Sequence, residues 1–185
     1  MATPPPKKKK LPFSIYFSIF LPLEFAEAIA AQVAVFGPPH GLVGKPLLPH
    51  RIHVTLHDLG NVDEVPPELL KLALAAGDSV SAPAFDVTYD RAMRFPSSGT
   101  YVLTGDAAGT AQLVAFRESV GAAMLAAGLK VRKSYSPHMT VAYDRGHIAK
   151  HAIEPVVWTA QEFMLIKSHV GKGVYDVLGR WPLRT

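Results

Sequence analysis

The 185-residue sequence predicts a two-lobed α+β domain. Three observations lead there. Segments with helical spacing are mixed with segments of strand composition, and some of those strands are joined by turns short enough for hairpins. A strand–helix–strand theme occurs twice. Each occurrence lies near a strand carrying the same short pattern, histidine, any residue, threonine, aliphatic. The copies are His53-Val54-Thr55-Leu56 and His138-Met139-Thr140-Val141, 85 residues apart.

Taken in order, Phe13 to Pro22 ("FSIYFSIFLP") is rich in aromatic and β-branched residues and stops at a proline. That composition predicts a strand, central because both of its faces are apolar. A helix follows from Pro22 to Phe36, with Leu23, Ala26, Ile29, Ala30 and Val33 as its stripe and a proline suited to its start. Residues 37–49 are rich in Gly and Pro and read as loop. "RIHVTLHDL", Arg51 to Leu59, is the next strand. "PPELLKLALAAGDSV" is a helix opened by proline and ended near Gly77. Two strands, within Ala84–Phe95 and Gly99–Gly105, flank a turn at Pro96–Gly99. The clearest helix lies within Thr110–Leu129, with Leu113, Phe116, Val120 and Met124 on one face and Gly128 as its cap. Pro137–Asp144 is a strand. Glu162–Val170 and Val174–Leu183 form a closing hairpin around Gly171-Lys172-Gly173.

Apolar residues make up 49% of the chain and charged residues 18%, which is the composition of a buried core and not of a disordered polymer. Cysteine is absent, so disulfides, thiolate zinc sites and cysteine nucleophiles are excluded. The net charge is +4, and four of the positive charges sit at Lys7–Lys10 behind Pro4–Pro6. Residues 1–10 therefore read as a flexible basic tail, residues 11–185 as one domain, and the body as near neutral. The pI does not establish nucleic-acid binding. Leu11–Leu23 is apolar but holds Pro12, Ser14, Ser18 and Pro22, is too short to span a bilayer and has no small-residue cleavage site after it. The expectation is a cytoplasmic, monomeric protein with no membrane segment.

Side chains alternate along a strand, so His53 and Thr55 share a face, as do His138 and Thr140. Val54, Leu56, Met139 and Val141 point the other way and can pack under helices. If the two polar faces meet, they form a cleft holding two imidazoles and two hydroxyls. Cleavage of a phosphodiester needs a base to activate water and an acid to protonate the leaving oxygen, and histidine can be either near neutral pH. Threonine hydroxyls can donate to the non-bridging oxygens, whose charge grows in the transition state. No cofactor or metal is required. One such pattern alone carries little weight, since strands tolerate histidine and favour threonine. Two copies half a chain apart carry more. A zinc site would need a third ligand. His50 and His57 are near His53 in sequence, but His50 reads as loop and His57 as facing the core. A non-catalytic nucleotide- or RNA-binding module is the alternative function.

At these motifs the sequence resembles the two-histidine phosphoesterase superfamily, and within it the 2′-5′ RNA ligase-like branch. The family's mark is a pair of H-x-[ST]-hydrophobic motifs about half a chain apart, here "HVTL" and "HMTV". The opening "FSIYFSIFLP" resembles its first strand, and "FMLIKSHVGKGVYDVLGRWPL" its closing strands. The resemblance implies a bilobal fold with antiparallel sheets lining a central cleft and helices outside. It implies a metal-independent phosphodiesterase acting on 2′,3′-cyclic phosphates of RNA ends or small nucleotides, or on 2′-5′ linkages. It further implies catalytic roles for His53, Thr55, His138 and Thr140, with His53 the proton donor and His138 the acceptor. Some relatives carry a phosphate- or nucleotide-contacting arginine soon after the second motif; Arg145 stands there, slightly displaced. Ser168 and Tyr175 fall in the closing segment. Phe17, Tyr143 and Tyr175 are the candidates for an aromatic platform under a base.

Overall fold

The computed structural model describes residues 11–96 and 98–184. The basic tail expected at residues 1–10 lies outside the described residues. Eight strands and three helices follow one another as β1 (Phe13–Phe20), α1 (Leu23–Phe36), β2 (His53–Val62), α2 (Pro67–Ser79), β3 (Phe85–Arg94), β4 (Thr100–Thr104), α3 (Ala111–Ala126), β5 (Met139–Tyr143), β6 (His151–Ala160), β7 (Glu162–His169) and β8 (Val174–Pro182). They build two four-stranded sheets, β2-β1-β7-β8 and β5-β4-β3-β6, in which every strand pairing is antiparallel. The α+β bilobal expectation holds.

The repeated theme is β1-α1-β2 in one sheet and β4-α3-β5 in the other. In each, the strand after the helix returns antiparallel beside the strand before it and ends up at a sheet edge. The two motif-bearing edges approach one another. The loop before β2 seals the join: Leu47 donates its N–H to the Val141 carbonyl (2.7 Å), and Pro46 bridges Ala142. Asp144, just past β5, accepts the N–H groups of Val43 and Gly44 (both 2.7 Å) on one oxygen and that of Gly146 (2.6 Å) on the other. Those donors hold its carboxyl below the usual carboxylate range, those of Gly44 and Gly146 most strongly.

Packing sorts each element by face. On β1, Ile15, Phe17 and Ile19 join the main core, while Tyr16 belongs to a separate small cluster with Met164 and Ile166 on the opposite face, against which Phe20 and Tyr175 pack. Ala26, Ile29 and Val33 of α1 are buried, but Leu23, expected in the same stripe, is 58% exposed at the helix start. On α3 the expected face is buried throughout. That helix ends in a Schellman motif: Gly128 takes φ 90°, its N–H bonds the Leu125 carbonyl, and the Leu129 N–H reaches back to Met124. Helix α2 runs to Ser79, past Gly77, because Gly77 is no stop here. A side chain there would strike the Trp181 indole, so Gly77 lets β8 pack on the helix.

Strand β6 is absent from the sequence reading. It is an edge strand in which Val156, Trp158 and Ala160 are buried and alternate with exposed residues. Pro155 argues against a strand on sequence grounds, and an edge is where a sheet tolerates proline. No described helix is long and apolar enough to cross a membrane.

Candidate active site

The motif strands carry matching irregularities. Along β1/β2, Phe17 pairs with His57 and Ser18 with Thr55, which leaves Leu56 as an extra residue. Along β4/β5, Tyr101 pairs with Ala142 and Val102 with Thr140, which leaves Val141 extra. Both bulges fall on the aliphatic fourth residue of the motif. A bulge turns two consecutive side chains toward one side. Leu56 and His57 are accordingly both buried, as are Val141 and Ala142. Before the bulges the ordinary alternation holds: Val54 and Met139 are in the core, while His53, Thr55, His138 and Thr140 are half-buried on the opposite face. His138 itself stands one residue before β5 and not inside it.

The two imidazoles are held alike. His53 Nδ1 lies 2.7 Å from the Arg51 carbonyl and His138 Nδ1 lies 2.7 Å from the Ser136 carbonyl, in each case two residues upstream. A carbonyl only accepts, so both Nδ1 atoms are the protonated ones, and Nε2 is the free position of each ring. Their surroundings differ. His53 stacks with Phe20 (ring centroids 4.9 Å apart, 22° between planes) and Tyr16 (5.4 Å, 12°) and meets Tyr175 at 5.7 Å and 73°. Among the described residues, His138 has the ring of Phe95 at 4.9 Å. Burial among rings lowers the His53 pKa to about 4, and the charges of His138 and Arg51 act in the same direction, while its bond to the Arg51 carbonyl opposes them. His53 opens β2 and His138 immediately precedes β5, the two edges that meet where Leu47 bonds Val141.

The other expected site residues divide. Burial pushes the Tyr16 hydroxyl up from its ordinary pKa, Tyr175 and Tyr143 act in the same direction, and Ser168 opposes them. Tyr175 meets the His53 ring and pairs across β7–β8 with Ser168, whereas Tyr143 stands at the end of β5. Tyr175 and Phe20 also line a cavity of about 890 Å³ with His50, Met164, Ile166 and Arg180. Arg145 lines a different cavity, about 770 Å³, with Arg94 and Tyr143 past the end of β5. Phe17 must be corrected. It is fully buried on the helix side of the sheet, 6.2 Å from the Phe163 ring and 5.9 Å from that of Trp181, and offers no face to a ligand. Phe20 and Tyr16 occupy the face that Phe17 was expected to supply. The signal for them was the alternation of β1: Ser14 and Ser18 fall on the same parity as Tyr16 and Phe20 and mark the polar face.

Behind the cleft, the buried Arg117 of α3 ties the first motif strand to the segment that leads into β5. Its Nε donates to the Leu56 carbonyl (3.0 Å), its guanidinium donates to the Arg132 carbonyl (2.6 Å), and its Cζ lies 4.3 Å from the Tyr135 ring centroid. Its own carbonyl accepts from His57 Nε2 at 2.8 Å. His57 is thus a structural histidine on the core side, and burial lowers its pKa. Among the described residues, no group of three or more His, Asp or Glu side chains is arranged to hold a metal ion.

The chain belongs to the 2′-5′ RNA ligase superfamily, whose profile matches residues 23–172. Among individual proteins, it is 28% identical to the RNA 2′,3′-cyclic phosphodiesterase of Thermus thermophilus, over 92% of this chain and 90% of that one. Its fold matches E. coli LigT without ligand (TM-score 0.72, 27% identity, 95% of this chain and 100% of that one). It also matches LigT complexed with 3′-AMP (TM-score 0.73, 28% identity, 94% and 99%). The comparisons therefore support a phosphoesterase family with cyclic phosphodiesterase-like members.

Proposed function

We propose that this protein hydrolyses ribose 2′,3′-cyclic phosphates, at RNA ends or on small nucleotides, without a metal ion. The observation that carries the reading is the pair of Nδ1-anchored imidazoles, each with Nε2 free, on two adjoining sheet edges. A water attacks phosphorus and gives its proton to one Nε2. The ribose oxygen leaves on the opposite side and takes a proton from the other. In the assignment that the family resemblance implies, His138 accepts and His53 donates. Thr55 and Thr140 donate to the non-bridging oxygens. The nucleoside lies in the cavity beside His53, its base against Tyr175 and Phe20. The relatives named above support this substrate class.

The direct test is product analysis on a panel of 2′,3′-cyclic nucleotides and 2′-5′ dinucleotides in the presence of EDTA. Turnover of the cyclic nucleotides to single phosphomonoesters is expected, unchanged by chelator. Binding without turnover would instead make the chain a nucleotide-binding module. Activity lost to EDTA and restored by zinc would make it a metallohydrolase.

The low pKa of His53 has a kinetic signature. In the free protein the ring is neutral at pH 7, since its pKa is about 4. An anionic phosphate bound beside it favours the imidazolium and raises that value. The pH profile of kcat/KM, which reports the free enzyme, should therefore have one limb near pH 4. In the profile of kcat, which reports the complex, the same limb should lie at higher pH. Coincident limbs in the two profiles would contradict the placement of the phosphate beside His53.

A further inference from the structure

The strongest unassigned feature is Arg51, which ends a short 3₁₀ turn just before β2. Its carbonyl holds His53 Nδ1. Its side chain runs across the β7–β8 turn at Gly173: a Cβ placed on that glycine would sit 3.1 Å from Arg51 Nε and 3.2 Å from Cζ. Nε is buried and has no hydrogen-bond partner. Among the described residues Arg51 forms no ion pair with a carboxylate, whereas Arg91, Arg132 and Arg180 each do. Gly173 also lines the cavity that holds Tyr175 and Phe20, so the guanidinium lies against one of that cavity's lining residues.

A guanidinium is always charged, and a partly buried one is normally paired. Here no carboxylate pairs with it among the described residues, and the site beside it is read as one that takes an anion. Arg145, the cation nearest the second motif in sequence, lines the other cavity with Arg94. We propose that Arg51 binds the substrate's phosphate, donating to its non-bridging oxygens and supplying the cation that this chain does not present from the second motif. The inference rests on the proposed cyclic-phosphate site. The charge of Arg51 already acts on both neighbouring groups, lowering His53 and opposing the rise of Tyr16. A planar fork with five donors suits phosphate oxygens and adds a preference that an ammonium would not match. Gly173 is part of the device. Any side chain there would press on the guanidinium, and its φ of 66° favours glycine as well.

The test is calorimetric binding of 2′-AMP and of adenosine to the wild type, Arg51→Gln and Arg51→Lys, with a thermal melt of each. The wild type should prefer 2′-AMP. Arg51→Gln should lose about 10–100-fold in 2′-AMP affinity, as expected for a charge-assisted hydrogen bond. Its adenosine affinity and melting temperature should be unchanged, and Arg51→Lys should recover part of the loss. An Arg51→Gln variant that keeps the preference for 2′-AMP overturns the inference, and so does equal loss of adenosine binding. Failure of the hydrolytic reading is read separately. If cyclic nucleotides are not turned over but 2′-AMP binding depends on Arg51, the phosphate-binding role stands. If turnover is found and is indifferent to Arg51, only this inference falls.

Discussion

His53→Ala and His138→Ala should each lower the turnover of a 2′,3′-cyclic nucleotide by about 10²–10⁴-fold, the usual contribution of a positioned acid or base. The expectation follows from how the two rings are held. Each donates Nδ1–H to a carbonyl two residues upstream, which fixes the tautomer and aims Nε2 away from the backbone. Neither ring is fully buried, and neither belongs to the main core. Removing one should therefore cost activity with little loss of fold, and a thermal melt beside the kinetic assay separates the two effects. Product affinity should survive in both variants, since phosphate binding is assigned to other groups. Near-normal turnover in either variant would sink the two-histidine mechanism.

The second large effect is expected at the threonines. Thr55→Val and Thr140→Val keep the β-branched shape that suits a strand and delete only the hydroxyl. Each should cost up to about 10²–10³-fold in kcat/KM, as for one lost oxyanion donor, and less if the two share the charge. In the proposed mechanism the threonines contact phosphate in the ground state as well as the transition state. Their loss should therefore raise KM, whereas the histidine variants should lose mainly kcat. A threonine variant with unchanged kcat/KM would remove that hydroxyl from the site.

The site was more legible in the sequence than its details were. Alternation placed His53 with Thr55 and His138 with Thr140, and the buried Val54 and Met139 agree with it. His57 lies on the core side as expected, but strict alternation, which would set it beside His53, is not the reason. The bulge at Leu56 turns it inward, and a bulge is a pairing irregularity that one strand's sequence does not display. Phe17 and Phe20 could not be ranked by hydrophobicity, because β1 is apolar on both faces; only the serines separate them. Strand β6 was hidden by Pro155, whose edge position depends on which strand lies beside it. Arg51 carried no signal at all. Its significance comes from Gly173, 122 residues away in sequence, and from the absence of a carboxylate partner among the described residues.

The central claim is that His53 and His138 act together on one phosphate. The most direct test is a double-mutant cycle on a 2′,3′-cyclic nucleotide, comparing both single alanine variants with His53→Ala/His138→Ala under metal-free conditions. Two groups serving one transition state are lost together once either is gone, so the double variant should be little slower than the slower single. Losses that multiply, with each histidine contributing independently of the other, would contradict the claim.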